Sequence, residues 1–297
     1  MGPCGYGPLV VGVDATLFYG RKAAMMQKIG PNMLCVGLTD VGCVRTLNED
    51  SFRIVPELGL MVVSDGMGGH DSGEVASNLV VTALEFFLHE RGEPTLPHGV
   101  AVAPSVEDDE DSPTLDELAD PNAFCMREAV NYANSRVNRL NRERGYSEGA
   151  GMGATVVGMW LAEDAETGII FHVGDSRLYL LRDEGLKPLT RDHSMYEQWK
   201  AFGSKGKAPS KNILTQAMGP TGAVAPDITL FEPRPGDVLL VCSDGLHGMV
   251  SEAAMAMVMA ETNPDNLEAQ AQVLVDLAKQ AGGKDNVTVI LAMVPEA

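Results

Sequence analysis

Apolar residues along this chain gather into two kinds of run. Short ones, rich in Val, Ile and Leu, stand at LCVGLTDVG (34–42), SFRIV (51–55), LGLMVVS (58–64), TVVGMWLA (155–162), GIIFHVG (168–174), RLYLLR (177–182), DITLFEP (227–233), DVLLVCS (237–243) and NVTVILAMV (286–294). Their length and β-branched content predict strands. Other segments space their apolar residues helically. In 72–90 these are Val75, Leu79, Val80, Ala83 and Phe87, with Ser72 as a cap and Glu74 in the first turn. A second long helix is predicted at about 122–144, and two closing helices near 251–261 and 264–281. The order is strands, two long helices, many strands, two helices, strand. Strict β-α alternation is absent, which argues against a doubly wound parallel sheet. The fold class expected is α+β: a central β-sandwich of two mostly antiparallel sheets flanked by α-helices.

Two stretches fall outside the pattern. Residues 1–33 open on the Gly/Pro-rich MGPCGYGP and contain Met25, Met26 and Met33, each able to be a start. They read as an N-terminal extension or a mis-called start, leaving one domain over 34–295. Residues 92–121 hold five prolines and the acidic EDDEDSPTLDELAD, with no Lys or Arg between Arg91 and Arg127. That composition predicts an exposed, mobile insertion.

Composition narrows the partners. The 297 residues carry a net charge of −19, which disfavours nucleic acid and anionic membrane surfaces, since both require a basic face. It suits a cation-binding protein. The five cysteines form no C-x-x-C pair, against a disulfide framework or a cysteine-built zinc site and in favour of a reducing, cytoplasmic setting. No run approaches the roughly 18 apolar residues of a spanning helix. No basic leader precedes PLVVGVDATLFYG, which Asp14 interrupts.

The chemistry lies in the acids. Asp65 in SDGMGG, Asp175 in HVGDSRLYL, Asp244 in CSDGLHG and Asp285 in GGKDNVTV each sit at a strand end or in a glycine turn, and Glu49 and Asp50 form a fifth acidic position in RTLNEDSF. Aspartate is a poor strand former, and carboxylates that converge repel unless protonated or neutralised by cations. Oxygen-only ligation selects hard ions such as Mg²⁺ or Mn²⁺, and a two-metal centre activates water and clamps a phosphoryl oxygen. The glycines beside these acids carry no side chain, so a backbone carbonyl can approach a metal as a ligand. Arg45, four residues before Glu49, is the candidate for bidentate phosphate recognition. Rival motifs fail: GMGGHD places Asp71 at the sixth position of G-x-G-x-x-G, GGKD lacks the P-loop spacing, GDSRL lacks the last glycine of a nucleophile elbow, and the six histidines form no H-E-x-x-H.

In order along 34–294, the pieces RTLNED, SDGMGGHDSGE, GMGATVVG, HVGDSRLYLL, LTRDHS, NILTQAMG, LLVCSDGL and GKDNVTVILA resemble the metal-dependent Ser/Thr protein phosphatases of the PPM (type 2C) class, in a bacterial form. The resemblance implies a β-sandwich with two Mn²⁺ or Mg²⁺ ions, and a third in some members, in a channel at one edge. It implies that Asp65 bridges the two ions, that the Gly66 carbonyl, Asp244 and Asp285 complete the first site, and that Glu49 lies near the second. Asp50 would hold metal-bound waters, Asp175 would join Asp244 in the third site, and Arg45 would bind phosphate. Residues 194–217 fall where the family carries its flap, here basic with Lys200, Lys205, Lys207 and Lys211. Animal members place a histidine directly after the Asp-Gly; here that position is Met67, and His70 is the alternative general acid. The implied substrates are phosphorylated Ser/Thr proteins, products of a partner kinase, acted on by a monomer. A catalytically silent binding protein and a small phosphate-ester hydrolase are the alternative readings.

Overall fold

The computed structural model describes residues 21–23, 26–68, 72–91, 120–162, 167–183 and 185–296. Two antiparallel sheets stack face to face. The larger contains β1 (Arg21–Ala23), β2 (Gln27–Ile29), β3 (Met33–Asp40), β9 (Arg177–Arg182), β10 (Gly185–Pro188), β12 (Val238–Cys242) and β13 (Val287–Met293). Its order is β1-β3-β13-β12-β9-β10, with β2 also paired to β3. The second sheet, ordered β11-β8-β7-β5-β4, contains β4 (Asp50–Val55), β5 (Leu60–Met67), β7 (Val156–Trp160), β8 (Gly168–Val173) and β11 (Asp227–Phe231), and the short β6 (Gly153–Ala154) pairs with β5.

Near-continuous apolar runs form these strands because both faces are covered. Along β12, Leu239 and Val241 enter the core between the sheets, while Val238, Leu240 and Cys242 face the opposite layer. That outer layer is closed by α5 (Glu252–Ala260) and α6 (Leu267–Gln280), through Met255, Met259, Leu274 and Val275. Across the sandwich, α1 (Ser72–Arg91) and α2 (Pro121–Glu143) cover the second sheet with Val80, Leu84, Met126 and Val130, packed on Val62 and Phe171. The layers are therefore α-β-β-α, as the order of elements predicts.

The predicted strands and the four predicted helices form within a few residues of their expected limits. The sheet begins earlier than Leu34, however. Gln27–Ile29 pairs antiparallel with Met33–Cys35, and Ile29 is 0% exposed among Cys35, Met61 and Leu161. A three-residue strand is too short to carry a period, so the pattern could not announce it. Short elements were missed for the same reason: β10, α3 (Met195–Ala201) and α4 (Asp244–His247). Residues 92–119 of the expected insertion lie outside the described residues. No helix among the described residues is long and apolar enough to cross a membrane.

If this early strand is integral to the sandwich, Ile29→Ala leaves a cavity in the inter-sheet core and costs about 2–5 kcal/mol. Urea unfolding checks this, and a change below about 0.5 kcal/mol would show the strand to be dispensable.

Candidate metal centre

Strand register and turns bring the predicted acids to one end of the sandwich. Asp50 opens β4 and lies directly opposite Asp65 on β5. From the other sheet come Asp244, which follows β12 and starts α4, and Asp285, in the turn before β13. Asp175 sits in the connection that crosses from β8 to β9, between the sheets. A cleft of about 910 Å³ is lined by Arg45, Glu49, Asp65, Gly66, Asp175, Asp244 and Asp285. Asp50 lies behind it, buried.

The acids burden one another. Burial and the charges of Asp50, Asp244 and Asp175 hold the Asp65 carboxyl well above the ordinary range. Burial and the neighbouring Asp285 raise Asp244, an effect opposed by its hydrogen bond with Asp65. Asp175 is pushed up to about 7, first by burial and then by Asp244. Burial also takes Asp50 to about 7, against the hydrogen bonds that Oδ2 accepts from Ser243 Oγ and Thr288 Oγ1, both 2.7 Å. Asp50 Oδ1 is buried with no partner among the described residues. An orphaned carboxylate oxygen behind an all-oxygen cluster fits hard divalent cations, or their water ligands, and gives the crowding a physical remedy.

The second row of residues holds the acids in place. The Asp65 N–H donates to Thr155 Oγ1 at 2.9 Å, and its carbonyl accepts from the Thr155 N–H at 2.8 Å. Asn286 secures the loop carrying Arg45 and Glu49: its Nδ2 donates to the Val41 and Leu47 carbonyls, and its Oδ1 accepts from the Glu49 N–H at 2.8 Å. At Gly66 any Cβ would collide with the backbone of Gly73 and Glu49, so the glycine lets α1 and the Glu49 loop close around this strand end. Thr155, Ser243, Asn286 and Thr288 were not singled out from sequence. Their signal was adjacency, since Ser243 precedes Asp244 and Asn286 follows Asp285.

Arg45 stands at the rim, its side chain 48% exposed, with Nη2 2.8 Å from Asp285 Oδ2 and Nη1 3.9 Å from Glu49 Oε2. The facing wall comes from the end of 194–217, the segment where a flap is expected. Ser194 caps α3 by accepting from the Glu197 N–H, and Trp199 Nε1 donates to the Lys205 carbonyl at 2.8 Å. The returning segment is tied back by Met195 N–H to the Ile213 carbonyl and Thr215 N–H to the His193 carbonyl, both 2.8 Å, so that Asn212–Ala217 face the acids. Of the four flap lysines, Lys200 pairs with Glu197 at 2.8 Å and Lys211 lies over the Tyr196 ring. Met67 lines the cleft. His70, the candidate acid, lies outside the described residues.

The family model described as Protein phosphatase 2C matches residues 44–279. The chain is 34% identical over 261 residues to the serine/threonine phosphatase Stp of Listeria innocua, covering 85% of this chain and 92% of that protein. Its fold is similar to the crystal structure of the Mycobacterium tuberculosis serine/threonine phosphatase PstP/Ppp, with a TM-score of 0.70 and 31% identity over 90% of this chain and all of that one. It is also similar to the catalytic domain of PstP in complex with two manganese ions, with a TM-score of 0.68 and 32% identity over 89% and 99% of the two chains. With the strand-end acids, the sandwich and the flanking helices all in place, the chain belongs to the protein phosphatase 2C family, the PPM class of metal-dependent Ser/Thr phosphatases.

Proposed function

We propose that this phosphatase removes phosphate from phosphoserine and phosphothreonine in proteins by direct attack of water at phosphorus, in the cleft around Asp65. The observation that carries the reading is the gathering of Glu49, Asp65, Asp175, Asp244 and Asp285 around one cleft with Arg45 at its rim. Glu49, Asp65, the Gly66 carbonyl, Asp244 and Asp285 would hold the ions, with Asp65 central among them. Asp50 would support water ligands through its unpartnered Oδ1, and Asp175 with Asp244 would hold a third ion. Bound Mn²⁺ or Mg²⁺ supplies Lewis acidity to the phosphoryl oxygens and lowers the pKa of water.

The chain's own groups do the rest. Arg45 turns a fork of N–H donors toward the phosphate, orienting it and offsetting negative charge as the ester P–O bond lengthens. Its pairing with Asp285 fixes the guanidinium in the substrate-free state. The Ser or Thr oxygen leaves as a hydroxyl after taking a proton from His70 or from water. The flap lysines draw anionic phosphopeptide toward a body of net charge −19. The setting is the cytoplasm, with a monomer reversing the work of a partner Ser/Thr kinase.

Asp65→Asn and Asp244→Asn each remove a ligand and lower Mn²⁺-dependent turnover of a phosphothreonine peptide by more than the roughly 10–100-fold that losing an outer partner costs. Near-wild-type rates at saturating Mn²⁺ would overturn the assignment. Arg45→Lys keeps the charge but loses the fork, so it raises KM and lowers kcat less than Arg45→Ala does.

The raised carboxyls couple stability to pH and to the cation. Unfolded aspartates titrate near 3.9, whereas Asp50 and Asp175 stand at about 7 in the fold. The folded state therefore binds more protons, and the stability these groups contribute is full below about pH 4 and lost as pH rises through about 7. Cations replace those protons. Added Mn²⁺ should therefore raise Tm more at about pH 8 than at about pH 5.5, reversibly with EDTA. Equal shifts at both pH values would count against the centre.

A further inference from the structure

A second cluster of ligating side chains lies apart from the acids. His172 projects from β8 on the same side of the strand as Ile170, into the core between the sheets, and is 1% exposed. Neither ring nitrogen has a hydrogen-bond partner among the described residues; the Ser176 backbone is near without meeting hydrogen-bond geometry. Asp227 on β11 is the cross-strand partner of His172. His193 arrives from the segment leading into the flap, its ring 4.7 Å from that of His172. One ligand atom from each of the three lies within 4.8 Å of the others. The His193 Nε2 to Asp227 Oδ2 distance is 3.1 Å, close to the separation of about 3.3 Å between two ligands held at 2.0–2.1 Å on one tetrahedral ion. A pocket of about 450 Å³, bordered by Thr190, Glu197 and Lys200, reaches His172 and Asp227 from the surface. Ring contact between the histidines explains their packing. It does not explain why a buried position carries two nitrogens with nothing to bond, where an apolar side chain would fill the space without that penalty.

We propose that His172, His193 and Asp227 form a separate cation site for a borderline ion of the Zn²⁺ or Co²⁺ type, with its fourth position open to the pocket. Two imidazoles and one carboxylate suit such ions, whereas all-oxygen sets suit Mg²⁺ and Mn²⁺, so the two centres sort metals by ligand chemistry. Burial keeps the His172 ring neutral, its pKa lowered to about 3, so no proton has to leave it. His193 accepts from the Gly174 N–H at Nδ1, 3.2 Å, which leaves its proton on Nε2, facing Asp227. An ion on Nε2 moves that proton to Nδ1, and the Gly174 bond is given up. Gly174 precedes Asp175, so occupancy loosens the turn that presents Asp175 to the cleft and slows turnover. This last effect alone rests on the role proposed for Asp175; the site itself does not.

The test is Co²⁺ titration of the EDTA-stripped full chain in millimolar Mg²⁺, which occupies the carboxylate centre. The expected result is one equivalent of Co²⁺ with the visible absorption bands of tetrahedral nitrogen and oxygen ligation, bleached by Zn²⁺. Asp227→Asn keeps an acceptor for His193 while providing a poor ligand, and His172→Phe keeps the ring but removes its nitrogens. Each should weaken Co²⁺ binding by about tenfold or more, while Asp227→Asn retains near-wild-type Mn²⁺-dependent turnover in the absence of Co²⁺. Absent bands in the wild type, or unchanged Co²⁺ affinity in Asp227→Asn, would overturn the site. Should His172→Phe fail to fold, Asp227→Asn decides alone, because that side chain is 56% exposed. Retained turnover distinguishes failure of this site from failure of the carboxylate centre.

Discussion

Repulsion between carboxylates is the constraint around which the molecule is organised. Asp50 and Asp65 face each other across neighbouring antiparallel strands, where like charges are destabilising, and Asp244 and Asp285 add to the same field from the opposing sheet. Nothing in the packing of a sandwich requires this. The apolar layers would close as well over neutral strand ends. A cation held there would therefore be more than a reagent: it would offset the cost of the arrangement and tie one sheet to the other. The same charges that strain the metal-free protein create the affinity for the ion.

The sheets are already linked at this point by neutral groups. Ser243 and Thr288 of one sheet donate to Asp50 of the other, and Asn286 reaches the loop that carries Arg45 and Glu49. These side chains fix the approach of the acids without adding charge. Function and fold thus meet at one end of the sandwich, where the flap supplies the remaining wall. His193 connects that wall to the centre, since its N–H donates to the Gly174 carbonyl beside Asp175 and its carbonyl accepts from the Thr215 N–H of the flap.

Much of this was legible in the chain. The layers followed from the order of strands and helices, and the acids announced themselves because aspartate at the ends of so many strands has no propensity to explain it. What escaped the sequence did so for physical reasons. The strand at Gln27–Ile29 is too short for a period, and β10 mixes Gly185, Lys187 and Pro188 with one leucine. Thr155 and Asn286 act through hydrogen bonds to distant segments that no spacing encodes. The His172–His193–Asp227 cluster is assembled from three distant segments by strand pairing and a loop, so its members look unrelated until β8 and β11 are set side by side.

The account turns on whether those strand-end carboxylates hold ions in common, and anomalous scattering from crystals grown with Mn²⁺ reads this directly. The proposed site predicts two manganese peaks in the cleft, both within bonding distance of Asp65, one of them also touching the Gly66 carbonyl and Asp244 or Asp285. Manganese peaks elsewhere, with Asp65 free of any ion at saturating Mn²⁺, would contradict it.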